Sequence, residues 1–235
     1  MSKIEKFWHD EKVLPLVNKT LTKYDDGELF LEKTISENLV FDDNKLKNAS
    51  YDEDKGFGLR VINNESIGFA HSSELTEISL KNAIKSLNSI RAGKNFSYEI
   101  PKKTNLNLYS NLNPISIVEF KSKIALLKKI NQYARNKDEK GTQVSITLAG
   151  NFQNVEIFRG EGIFYSDSRP LVRLNISITV KRKNIVENGS FGFGGRHMYE
   201  LLFDEKNWKK AVDAAYAQAI TKLDSIETPA GEQTL

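Results

Sequence analysis

The chain contains no cysteine, which removes disulfides, thiolate nucleophiles and Cys-ligated metal from consideration. Histidine is nearly as scarce, with only His9, His71 and His197. No two of them stand four apart, so no paired-histidine zinc helix can be drawn. His197 with Glu200 offers zinc one histidine and one carboxylate, too few to hold it. Long apolar runs are also missing, so no segment is suited to crossing a bilayer. The first residues, Met1 to Asp10, lack the apolar core of a signal peptide. These absences predict a cytoplasmic protein with no membrane partner, in which the sequon Asn175-Ile176-Ser177 carries no glycan.

Charge of one sign is lacking too. The 34 lysines and arginines stand against 31 acids, for a net charge of +3. The basic residues are interspersed, and Lys102-Lys103, Lys128-Lys129 and Lys181-Arg182-Lys183 read as solvated faces or hairpin ends. No direct nucleic-acid partner is expected from such a pattern. Gly192, Gly194 and Gly195 form neither a phosphate-binding loop nor a dinucleotide fingerprint, and no nucleophile elbow is present. The acid pairs Asp25-Asp26 and Asp42-Asp43, and the run Asp52-Glu53-Asp54, sit in turns, where Asx chemistry explains them. The residues by themselves supply no catalytic group and no metal ligand set.

What is present is pattern. A chain of 235 residues can bury a sizeable core. Val172, Leu174, Ile176, Ile178 and Val180 alternate with Arg173, Asn175, Ser177, Thr179 and Lys181, the period of a strand with one face buried. Pro170 is expected near the start of that strand. Upstream, a short helix is expected over 13–24, then strands over 28–35, 37–42, 46–52, 56–62 and 66–70. Ser72-Ser73-Glu74 announces a helix carrying Leu80, Ala83, Ile84, Leu87 and Ile90 on one stripe, ended by Gly93. After a polar crossing over 95–114, a second helix is expected over 115–136, with Phe120, Ile124 and Leu127 on its inner face. Strands resume over 144–148, 154–159, 163–167, 169–181 and 185–192, with a turn at 160–162. A final helix over 205–226 aligns Trp208, Val212, Ala215, Ala219 and Leu223 into a narrow packing seam.

The fold class expected is α+β, with antiparallel β-meanders packed with helices and a meander-helix unit used twice. The expected division is 1–94 for the first unit, 95–140 for linker and crossing helix, and 141–235 for the second unit. One stretch invites function. The glycines of Gly192 to Arg196 would expose backbone donors and acceptors, so that an extended peptide pairs alongside by β-addition while Arg196 holds a carboxylate or carbonyl. The structural alternative is a glycine bulge closing a hairpin, with Arg196 on the surface.

Several separated stretches carry a family resemblance. They are Asp25-Asp26-Gly27-Glu28-Leu29-Phe30-Leu31-Glu32, Gly56-Phe57-Gly58-Leu59-Arg60-Val61, Gly68-Phe69-Ala70 and Arg169-Pro170-Leu171-Val172-Arg173-Leu174. Gly194-Gly195-Arg196 with Tyr199-Glu200, the run Ala214 to Leu223, and Thr228-Pro229-Ala230-Gly231-Glu232 complete the set. In order and spacing the chain from Tyr24 to Leu235 resembles the amino-terminal half of TldD-type members of the TldD/PmbA family, often labelled modulators of DNA gyrase. The resemblance implies a zinc metallopeptidase built from a TldD-like and a PmbA-like (TldE) subunit and acting on peptides. The family's zinc helix, His-Glu-x-x-x-His, would follow the Pro-Ala-Gly motif, so the resemblance places no catalytic residue and no metal ligand here and implies a truncated product. It makes Gly194, Gly195, Arg196 and Tyr199 the substrate-binding candidates of a scaffold and partner surface. The alternative is a stand-alone, non-catalytic binding module for a PmbA-like partner or for peptides.

Overall fold

The structure is a computed structural model that describes residues 7, 12–90, 93, 108–137, 143–159, 163–226 and 231. The turn expected at 160–162, most of the 95–114 crossing, His9 and the Thr228–Glu232 motif apart from Gly231 lie outside the described residues. Helix α1 (Val13–Leu21) precedes β1 (Asp26–Asp42), β2 (Lys45–Asn63) and β3 (Ser66–Ser72), and α2 (Glu77–Ser86) ends in a 3-10 turn, Leu87–Ser89. Then come α3 (Pro114–Ile117), α4 (Phe120–Arg135), β4 (Gln143–Phe158), β5 (Phe164–Arg182), β6 (Ile185–Gly195), α5 (Glu200–Phe203) and α6 (Glu205–Leu223). The fold class is α+β. The six strands form one sheet in the order β3-β2-β1-β4-β5-β6, so each half of the described chain contributes a three-stranded meander followed by a helix.

Tight turns set the meanders. Asp43 and Asn44 adopt positive φ of 47° and 64°, the left-handed pair that matches the twist of a two-residue hairpin between β1 and β2. Asn64 (φ 52°) and Lys183 (φ 56°) open the turns into β3 and β6. The registers they fix are unbroken and antiparallel, from Asn63↔Ser66 to Phe57↔Ser72 and from Arg182↔Ile185 to Val172↔Gly195.

The strand pairs expected over 28–35 and 37–42, 46–52 and 56–62, 144–148 and 154–159, and 163–167 and 169–181 are each one continuous strand. The polar interruptions that suggested breaks, such as Ser36 or Asn151 to Asn154, remain within the strands. Pro170 consequently lies inside β5, not at its start.

The chain forms two compact units. The first comprises 1–36, 52–111 and 151–170, and the second 37–51, 112–150 and 171–235. In the first, Leu29, Leu31, Leu59 and Val61 of the sheet meet Val13, Val17 and Leu21 of α1 and Leu80 and Leu87, all buried. In the second, buried Val144, Ile146, Leu148, Leu174, Ile176, Ile178 and Val180 come from the sheet. Leu126, Leu127 and Ile130 of α4 and Val212, Ala215 and Ala219 of α6 are the buried helical residues. Each fully buried Leu, Ile or Val contributes about 1.5–3 kcal/mol relative to exposure.

Two helices start or run differently from the pattern expected. Helix α2 begins three to four residues later than Ser72-Ser73 suggests, because Thr76 accepts from the Ser79 amide at 3.1 Å while Ser79 Oγ accepts from the Thr76 amide at 3.2 Å, a reciprocal cap. The 115–136 helix breaks at Val118 and Glu119, and Asn113 caps the short α3 by accepting from the Ile115 amide at 2.9 Å. The inner face of α4 is Lys123, Leu126, Leu127, Ile130, Asn131 and Ala134, whereas Phe120 is half exposed. A lysine thus sits where the apolar stripe predicts none.

Helix α6 lies close against β6. A Cβ on buried Gly189 would overlap Ala215 O and stand 2.5 Å from Ala219 N. Ala215 and Ala219, small residues of the seam, let the helix backbone come that near. Gly189→Ala is therefore expected to cost about 1–3 kcal/mol by overpacking, read as a lowered urea midpoint; an unchanged midpoint would show that α6 can retreat freely.

Candidate functional site: the open edge of strand β6

Strand β6 ends the sheet, so one side of its backbone has no neighbouring strand. The pairing Arg182↔Ile185 closes the hairpin, and from it alternate residues point their amide and carbonyl toward β5 or outward. Ser190 points outward, since its amide donates to Gln218 Oε1 of α6 at 2.6 Å. Asn188 does too, its carbonyl accepting from Lys222 Nζ at 2.7 Å. Helix α6 thus bonds to outward groups of Asn188 and Ser190. Gly192 and Gly194 continue the outward series, and among the described residues no group of α6 caps them. An uncovered stretch of edge is a template for an added strand.

The register runs unbroken through Val172↔Gly195, so the glycine cluster holds no bulge, while Arg196 is at the surface as the structural alternative expects. Glycine at 194 has a packing reason, because a Cβ there would overlap Val172 O and stand 2.8 Å from the Arg173 Cα. Gly195 is half-buried beneath His197, whose Cδ2 would lie 3.0 Å from a Cβ at 195. The chain then leaves the strand, with the His197 amide donating to Gly195 O at 2.8 Å. Arg196 is exposed at this corner.

Tyr199 is placed differently from the other three candidates. It is 0% exposed, and its hydroxyl donates to Glu37 Oε2 at 3.1 Å. The same Glu37 oxygen accepts from Lys123 Nζ at 2.7 Å, and that ammonium also donates to Ile115 O at 2.9 Å. Lys123 Nζ lies 5.0 Å from the centre of the Tyr199 ring. With Lys123 1% and Glu37 8% exposed, this is a buried ion pair in which each partner makes a further hydrogen bond. Burial first, then the adjacent Glu37 carboxylate and its hydrogen bond, push the Tyr199 hydroxyl well above its ordinary pKa of 10.0. The cluster anchors the chain three residues beyond Arg196, joining it to β1, α4 and the α3 turn. The sequence reading missed Lys123 and Glu37; the signal for both was a charged residue at an inward phase of an otherwise apolar stripe.

The zinc implied by the resemblance needs several converging donors. Among the described residues no group of three or more His, Cys, Asp or Glu gathers, and His71 stacks on Phe69 with centroids 5.8 Å apart. The described residues do not fit the metal. What the arrangement offers is a stretch of edge backbone at Gly192 and Gly194 with no neighbouring strand on its outer side.

Comparison with known proteins agrees on one family. A family model described as PmbA/TldA metallopeptidase domain 1 matches residues 27–91, and one described as PmbA/TldA metallopeptidase central domain matches 113–223. The chain is 31% identical over 215 residues to a Metalloprotease TldD homolog of Haemophilus influenzae, covering 88% of this chain and 45% of the relative. It is 29% identical over 207 residues to the homolog of Buchnera aphidicola from Acyrthosiphon pisum, covering 87% of this chain and 43% of the relative. The chain thus spans less than half the length of these curated relatives. In fold it is similar to a proposed modulator of DNA gyrase from Thermotoga maritima, with a TM-score of 0.75 at 17% identity, covering 97% of this chain and 50% of the other. TldE from Thermococcus kodakarensis follows with a TM-score of 0.63 at 13% identity, covering 92% and 47%.

The buried cluster carries two expectations. Lys123→Met leaves the Glu37 carboxylate buried without its cation and should cost about 3–5 kcal/mol, with Glu37→Gln added in the same chain restoring part of the loss in urea denaturation. For pH, the raised pKa of Tyr199 means that the folded state keeps a proton the unfolded state releases near 10.0. Its contribution is full below that value and declines as pH rises beyond it toward the folded-state value. Tyr199→Phe should flatten that alkaline slope; an unaltered slope would remove the assignment.

Proposed function

This chain belongs to the PmbA/TldA metallopeptidase family, and we propose that it serves as the peptide-docking portion of a TldD-like metallopeptidase. An extended peptide adds as a strand to β6 at Gly192 and Gly194. Gly195 lets the chain turn away beneath His197, and Arg196 holds a peptide carboxylate or carbonyl at the corner. Tyr199, through Glu37 and Lys123, fixes the segment behind Arg196, so its part is positioning and not contact. The observation that carries this reading is the contrast along one edge: α6 caps Asn188 and Ser190, while among the described residues no group of α6 caps the two glycines beyond.

Main-chain pairing suits a peptidase that must hold many sequences, because every peptide offers the same amides and carbonyls. The peptide bond would be cut by zinc chemistry supplied by groups other than the described residues; this chain's part is to bind and orient. A PmbA/TldE-like subunit is the partner proposed, in the cytoplasm, without direct binding to nucleic acid or membrane. The docking edge falls within the 141–235 portion. A stand-alone binding module would use the same edge, and it is distinguished by capturing a PmbA-like subunit without adding to peptide cleavage.

Hydrogen exchange tests the docking directly. An added extended peptide should slow exchange of the Gly192 and Gly194 amides and leave the already bonded Ser190 amide little changed. Arg196→Ala should weaken peptide binding about fivefold, the range of a partly exposed charged contact, as read by fluorescence anisotropy. Edge amides that exchange equally fast with and without peptide would place docking elsewhere.

A further inference from the structure

The open face of the sheet beside this edge carries a second arrangement, built from β5. Arg173 is paired with Gly194 and Asn175 with Gly192, so the two side chains stand on the same face as the bare glycines. Because paired residues share a face and neither glycine has a side chain, both long polar groups can extend across β6. They do so: a Cβ on Gly192 would overlap Asn175 Oδ1 and stand 3.0 Å from Arg173 Nη2. The orientation is held by Arg173 Nε donating to Asn175 Oδ1 at 2.9 Å. That bond uses the Asn175 acceptor and leaves its amide donor, together with the outer guanidinium nitrogens, directed to other partners.

These groups border a cavity of about 340 Å³ whose walls include the hydroxyls of Ser145, Thr147, Ser177 and Ser190 and no acid. Asn188 Nδ2 donates to Ser177 Oγ at 2.7 Å, so that hydroxyl keeps its proton to give. Among the described residues Arg173 is ion-paired with no carboxylate, whereas Arg60, Arg135, Arg159, Arg169 and Arg182 each have one. The set is rich in donors, carries one positive charge and has no negative one. Its chemistry matches a carboxylate.

We propose that Arg173, steadied by Asn175 over Gly192, is a subsite that selects an acidic side chain in the peptide docked on β6. The proposal rests on the β-addition reading above. A strand added about 4.8 Å outside β6 puts the side chain opposite Gly192 on the open face. There it meets no β6 side chain and faces the guanidinium directly. Aspartate or glutamate at that position gains a charge-assisted bond, while lysine meets like charge. The planar fork of arginine favours a carboxylate in two-point contact, which a lysine at 173 would not reproduce.

The test uses the full chain and three capped, labelled peptides of alternating threonine and valine, with a central glutamate, glutamine or lysine. The glutamate peptide should bind about fivefold more tightly than the glutamine peptide at low salt. The lysine peptide should bind most weakly, and the glutamate preference should shrink as salt is raised. In Arg173→Gln the glutamate-to-glutamine ratio should fall to about one, with the thermal midpoint checked to show that this exposed substitution leaves the fold intact. Equal affinities for all three peptides, with the edge amides still protected, would overturn the subsite and leave docking standing. Failure of every peptide to bind or protect the edge would remove both. A glutamate preference that survives Arg173→Gln would overturn the assignment to this residue.

Discussion

A buried ammonium must have its charge answered, and around Lys123 much of the second unit is arranged to do so. The lysine enters from α4, the carboxylate from β1, a carbonyl from the α3 turn, and a phenol from the segment after β6. Pieces of chain from three distant parts of the sequence meet at three oxygens and one nitrogen. Replacing such a pair by apolar groups of the same volume often stabilises a protein, so its value lies elsewhere than in stability. Here the directional bonds specify where the chain emerges from β6, and hence where Arg196 is presented. A purely apolar contact would hold that corner with less definition.

The sheet supplies the second constraint. Strands of 16 to 19 residues keep one face buried only if the alternation survives their whole length. In β5 it does so from Val172 to Val180 without a slip, and β6 inherits a straight register from it. The glycines that end β6 therefore stay in line with the edge, which is what makes their backbone groups usable as a template. Where Gly189 meets α6 the same residue type does a different job, admitting a helix backbone.

Much of this was legible in the residues. The period-two run of β5, the breaks between β1 and β2 and between β2 and β3, the seam of α6 and the glycine-rich edge are local patterns, and local patterns can be read locally. The continuity of β1, β2, β4 and β5 was not, because Ser36 and Asn151 to Asn154 look like punctuation until the neighbouring strands are seen to pair past them. Lys123 was hidden for a related reason. Its burial depends on Glu37, 86 positions away, and no window of sequence contains both. The role of Arg173 was equally out of reach, since as one polar member of an alternating strand it resembles Asn175 and Lys181. Only its register opposite Gly194 distinguishes it. Tyr199 stood out through family likeness, and the structure buries it against Glu37.

The capping of β6 by α6 has a further consequence, for how the protein keeps company with itself. An open edge eleven residues long would invite a second β6 to zip onto it, the first step toward a fibre. Gln218 and Lys222 bond to Ser190 and Asn188 in the middle of the strand, and among the described residues no group of α6 bonds to the glycine end. Two copies meeting there would share too few hydrogen bonds to stay together once the entropy of joining is counted. A copy of β6 would fall away there, so the cap guards against polymerisation.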